Sequence, residues 1–187
     1  MLQILLGQND RYSIAEQAQI AIEGGCQWLV LRCEGMSDGD LRELGRELLP
    51  LCRENQTILT FFGNPEMARE LGVHGILLEA GADAAALREQ WGPEAIIGAC
   101  CEDPETIVAY DKADIDYVAM TTRQPAEIVR KVRHKGALIP FVALGDYALD
   151  DCPQLRLSGY DGVCTADVFE GDDPADYIRS MLKALEI

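Results

Sequence analysis

Arg32 is the residue whose type and setting speak most directly of chemistry. It follows the apolar run WLVL and, by strand alternation, shares a face with Val30 and Trp28. Turned inward, its guanidinium is a fixed cation suited to a phosphate or a carboxylate. The alternative is an ion pair with Glu34 or with Glu79. Glu34, Glu79, Asp146 and Asp167 follow four different apolar runs. Carboxylates that converge from separate runs can hold Mg²⁺ or share a proton at a raised pKa; apart, they are solvated loop charges. Cys100 and Cys101 end another run and offer a nucleophile. The two histidines give a thiol little help: His74 precedes the run GILLE, and His134 lies in RKVRHKG. Neither has zinc-ligand spacing with a cysteine. Asn64, Thr121, Thr122, Gly145 and Thr165 also stand just past apolar runs.

These residues become neighbours only if their runs are parallel strands of one sheet. Short runs rich in Val, Ile and Leu alternate with amphipathic stretches of helical length. The strand candidates are 2–7, 28–33, 58–63, 75–79, 95–101, 117–120, 139–145 and 162–169. Helix candidates cover 13–25, 37–55, 64–72, 83–92, 103–113, 124–136, a short stretch around 148–158, and 173–187. Ser13 with Glu16, and Ser37 with Asp40, have capping-box spacing. Asn64-Pro65, Asp103-Pro104 and Asp173-Pro174 place a capping side chain before a proline suited to a first helical turn. Pro50 predicts a kink or an early end in the second helix. Eight βα units in 187 residues imply a compact (β/α)8 TIM barrel with short loops, one domain over 1–187. Its functional site is expected at the C-terminal ends of the strands. An open doubly wound sheet is the alternative.

Composition narrows the partners. The net charge of −16 repels nucleic acid and anionic membrane surfaces. It leaves room for a small-molecule ligand at the barrel mouth, because a local cation or Mg²⁺ can reverse the sign inside a pocket. No apolar run is long enough to span a membrane, and the first residues read as a strand and not as a signal peptide. Seven cysteines without a CxxC pair fit reduced thiols in a cytoplasmic protein. Arg123, Arg130, Lys131, Arg133 and Lys135 form a basic stretch, read most simply as a solvated, salt-bridged face and alternatively as a partner-docking patch. A homodimer is compatible with the sequence.

EGGCQWLVLRCEG, LCRENQTILTFFGNPEMARELGVHGILLE, GPEAIIGACCEDPETI, ADIDYVAM, IPFVALG and GYDGVCTADVF resemble, in order over nearly the whole chain, thiamine phosphate synthase and its TenI-like thiazole tautomerase relatives. The resemblance implies a transferase that joins a pyrimidine diphosphate to a thiazole phosphate, with Mg²⁺ helping pyrophosphate to leave. Taken with the strand-end positions, the expected substrate contacts are Glu34, Asn64, Thr121, Thr122, Gly145, Asp146, Thr165 and Asp167, the expected metal contacts Glu79 and Asp83, and the expected catalytic residues Arg32 and Cys100. The resemblance also exposes departures. The family's Gln-x-Arg-x-Lys reads Val30, Arg32 and Glu34, so a lysine that grips pyrophosphate becomes a carboxylate. The metal-binding aspartate after the third strand is missing near Phe62, Gly63 and Asn64. The second metal aspartate falls at or near Ala82 or Asp83. A serine becomes Cys100, and the threonine- and lysine-containing loop is cut to Thr121, Thr122 and Arg123. The tautomerases' site histidine has no counterpart. The expectation is an inherited fold with altered, lost or greatly reduced synthase activity; a non-catalytic barrel that binds a small molecule or a protein is the alternative.

Overall fold

A computed structural model describes residues 1–185. Strands β1 (Leu2–Leu6), β2 (Trp28–Arg32), β3 (Ile58–Phe62), β4 (Gly75–Leu78), β5 (Ile96–Cys100), β6 (Tyr117–Met120), β7 (Phe141–Leu144) and β8 (Gly162–Thr165) alternate with helices α1 (Ile14–Glu23), α2 (Asp38–Glu54), α3 (Pro65–Leu71), α4 (Ala84–Trp91), α5 (Pro104–Lys112), α6 (Ala126–His134), α7 (Cys152–Ser158) and α8 (Pro174–Leu185). All neighbouring strands are parallel and the sheet is a closed (β/α)8 barrel, so the open-sheet alternative falls. Closure is made by β8 against β1, with Leu2 opposite Val163 and Ile4 opposite Thr165.

Strand alternation sorts the apolar residues into two cores. Leu5, Val30, Leu77, Tyr117, Val142 and Cys164 fill the barrel interior, with Trp28, Phe62 and Cys100 packed against them. Ile4, Leu29, Leu31, Phe61, Ile76 and Ile97 face outward into the helical layer. This explains strands that are apolar almost throughout: both faces are covered. Inside the barrel the Trp28 and Tyr117 rings meet edge to face at 5.5 Å, and Trp28 Nε1 donates to Thr60 Oγ1 at 3.1 Å.

Both capping boxes form: Ser13 with Glu16 on α1, and Ser37 with Asp40 on α2. The early end expected at Pro50 does not occur, since α2 runs on to Glu54. Pro50 is on the exposed side of the helix, where the Arg46 carbonyl that loses its amide partner can be hydrated. The eighth strand stops at Thr165, short of the expected 169. There the Asp167 amide donates to Thr165 Oγ1 at 3.1 Å and the chain turns into a short 3-10 helix, Asp167–Phe169. The stretch around 148–158 is a 3-10 turn, Leu149–Asp151, leading into α7.

Candidate ligand site at the barrel mouth

Because Trp28 and Val30 face the interior, Arg32 does too, and it emerges where β2 ends. It lines a cavity of about 440 Å³ enclosed by the loops after β1, β2 and β8, together with Leu5, Gln8, Asn9, Glu34, Met36 and Phe169. The cavity is therefore off the barrel axis, on the seam where the sheet closes. The guanidinium lies over the Phe62 ring at 5.6 Å and its Nη1 is 3.8 Å from Glu34 Oε2. Of the two ion pairs the sequence allowed, the one with Glu34 forms.

Arg11 shapes this cavity, and sequence reasoning missed it. From the β1–α1 loop its Nη1 donates to the carbonyls of Glu170 and Gly171 at 2.7 and 2.8 Å, and more weakly to that of Phe169 at 3.4 Å. The loop after β8 is thereby tied to the loop after β1. Nothing local marks this contact: the partners are backbone carbonyls almost the whole chain away.

The other expected site residues divide by what already occupies them. Glu79 is exposed at the end of β4 and lies near Cys100. Burial, with Glu79 and Cys101 adding, pushes the Cys100 thiol up to about 12. The thiolate is the reactive form, so these surroundings work against a nucleophile at Cys100. Asn64 accepts from the Met67 amide at 3.2 Å and Asp83 from the Ala86 amide at 3.0 Å; each caps the helix that follows it. Asp83 also lies near the Tyr110 phenol of the outer layer and raises its pKa after burial and Cys101. Thr165 is fully buried, and its hydroxyl binds the backbone of Tyr147 and Asp167, leaving it no free reach toward a ligand.

Thr121 and Thr122 are organised by Glu102. One oxygen of that carboxylate accepts both threonine amides and the Thr121 hydroxyl, each at 2.9 Å. Arg123 is drawn to the next loop: it donates to the Asp146 carbonyl at 2.8 Å and its Cζ lies 4.8 Å from the Tyr147 ring centroid. Gly145 and Asp146 sit beside Asp167, whose carboxyl is pushed up by burial first and then by Asp146, Glu170 and Asp151. The rest of the basic stretch is largely self-paired. Lys131 bonds Glu127, Lys135 bonds Glu105, and Arg133 donates to the carbonyls of Ala137 and Ile139.

Residues 2–168 match the family described as Thiamine monophosphate synthase. The chain belongs to this family. Thiamine-phosphate synthase of Bacteroides thetaiotaomicron is 28% identical, over 100% of this chain and 98% of that one. Thiamine-phosphate synthase of a Bacteroides fragilis strain is 27% identical, over 97% and 98%. In structure, the thiamine phosphate pyrophosphorylase of Pyrococcus furiosus superposes with a TM-score of 0.85 at 21% identity, covering 99% of this chain and 95% of that one, a likeness of fold.

The mouth of this thiamine monophosphate synthase family member is poor in cations. Its four lysines, Lys112, Lys131, Lys135 and Lys183, are all on or beside α5, α6 and α8, away from the loops after the strands. Those loops and strand ends carry Arg11, Arg32 and Arg123, and two of these are tied to backbone carbonyls. Nor do the residues present fit the Mg²⁺ that the family resemblance implies. Of the two expected metal contacts Asp83 caps α4 through Oδ1, and among the described residues no three His, Cys, Asp or Glu side chains converge on a point. No helix among the described residues is long and apolar enough to cross a membrane.

Proposed function

We propose that this member of the thiamine monophosphate synthase family binds a small molecule in the Arg32 cavity, and that its Mg²⁺-dependent joining of a pyrimidine diphosphate to a thiazole phosphate is lost or greatly reduced. The observation that carries this reading is the charge of the mouth. Every loop that follows a strand, except those after β3 and β6, holds at least one carboxylate, while Arg32 is the arginine left facing the cavity. A diphosphate brings several negative charges. Each close like-charge contact costs up to about 4 kcal/mol at an effective dielectric near 20. In the Arg32 cavity the one guanidinium is already shared with Glu34, which leaves little to hold the several charges of a diphosphate.

A cytoplasmic setting belongs to the same reading, since seven free cysteines suit a reducing compartment. The test is a synthase assay with both substrates and Mg²⁺, run beside an active family member. The expected rate is at or near background. Robust turnover would overturn the proposal and would mean that the pyrophosphate is held by groups other than those at the expected positions.

A further inference from the structure

The cavity at the end of β2 offers a pair of opposite charges, and two of the polar side chains beside it, Gln17 and Asn9, accept backbone amides. Gln17 Oε1 accepts the Gly7 amide at 3.2 Å, while its Nε2 donates to the carbonyls of Gly7 and Tyr12 at 2.8 and 3.0 Å. Asn9 Oδ1 accepts the amides of Arg11 and Tyr12 at 2.8 and 3.0 Å. Arg32 and Glu34 are different. Their 3.8 Å separation is longer than a hydrogen bond, and their side chains keep 44% and 77% of their exposure. Such a pair holds neither partner in place. Both remain free to turn toward a third group.

On the reading that this cavity is a ligand site, we propose that its ligand is a compact zwitterion: an anionic group for Arg32, a cationic group for Glu34 a few bonds away, and an apolar body against Leu5, Met36 and Phe169. A plain anion approaching Arg32 meets Glu34 at nearly the same range, so attraction and repulsion largely cancel. A plain cation approaching Glu34 meets Arg32 and fares no better. A molecule carrying both charges side by side gains from both, and replaces a loose, solvated ion pair with two charge-assisted hydrogen bonds. The cavity of about 440 Å³ admits a molecule of amino-acid size.

The experiment uses matched sets in which one charge is removed at a time. Leucine is compared with 4-methylpentanoate and 3-methylbutylamine, and 2-aminoethyl phosphate with ethyl phosphate and ethylamine. Binding to the full chain is measured by calorimetry at low salt. In at least one set the zwitterion is expected to bind about tenfold or more tightly than either truncated analogue. Glu34→Gln is expected to erase that advantage while leaving the anion's affinity equal or improved, and Arg32→Gln to abolish binding of both. Anions that bind as tightly as their zwitterions, in an Arg32-dependent way, would overturn the zwitterion proposal and leave the ligand site standing. No binding by any probe would overturn both.

Discussion

The ring of Tyr117 fills the space that a side chain on Gly98 would need. A Cβ at Gly98 would fall 2.2 Å from Tyr117 Cζ, inside the barrel and between strands that pair directly. Tyr117 is fully buried and held edge to face by Trp28, so it has nowhere to withdraw. Gly98→Ala should therefore destabilise the protein by about 2 kcal/mol through overpacking, lowering the melting midpoint by roughly 4–8 °C. In a Tyr117→Leu background the same substitution should cost less than half as much. A double-mutant cycle on urea unfolding checks this; equal costs in the two backgrounds would rule out the steric relationship.

Cys100 is placed as a reactive thiol would be, at a strand end facing the mouth, yet its surroundings hold the proton. Burial, with Glu79 and Cys101 adding, pushes the thiol up to about 12, so its thiolate fraction at neutral pH is far below that of a free cysteine. Iodoacetamide should label Cys100 far more slowly than the same cysteine in the urea-unfolded chain, as read by peptide mass spectrometry. Cys100→Ser should leave ligand binding at Arg32 unchanged.

Asp167 carries a cost that depends on pH. Burial and the neighbouring Asp146, Glu170 and Asp151 raise its folded-state pKa, so the folded chain binds that proton more tightly than the unfolded chain does. Its contribution to stability is most favourable in acid. It is lost as pH rises from the ordinary carboxylate value through the raised one. Asp167→Asn should therefore stabilise the protein at neutral pH, by about 0.5 kcal/mol for so partly exposed a position. The gain should shrink as pH is lowered toward about 4. Urea midpoints of the two proteins across this range measure it; a gain that is constant with pH would contradict the assignment.

Reversing the charge at Glu34 should restore some affinity for polyphosphates. Glu34→Lys removes a carboxylate 3.8 Å from Arg32 and adds a cation on the same cavity wall. Inorganic diphosphate is expected to bind the variant about 10- to 100-fold more tightly at low salt, with the gain eroded as salt is raised. Calorimetry at two ionic strengths checks both parts.

The alternation of β2 was enough to predict that Arg32 faces the barrel mouth, and the capping boxes at Ser13 and Ser37 were legible three residues ahead of their partners. Signals of this kind are local, because a strand repeats every second residue and a cap reaches one turn. The occupation of the site residues was harder to read. Asn64 and Asp83 have side chains suited to metal or ligand, but the helices they begin claim them. Thr165 stands at a strand end, yet its hydroxyl binds the Tyr147 backbone on the neighbouring strand's loop. Glu102 stands just past β5, and nothing in the sequence hints that it organises Thr121 and Thr122. Arg11 gave no signal at all, since its partners are carbonyl oxygens that every residue possesses. Side chains whose partners are set by closure of the barrel cannot be assigned from spacing alone.

That closure has a consequence for how the chain is made. The pairing of β1 with β8 joins the barrel strand that is synthesised first with the one synthesised last. Until nearly all of the chain has been synthesised, β1 presents an unpaired edge of five apolar and amide-bearing residues to its surroundings. The ring of strands has no partial form that satisfies both ends, so that edge stays open until the eighth strand arrives.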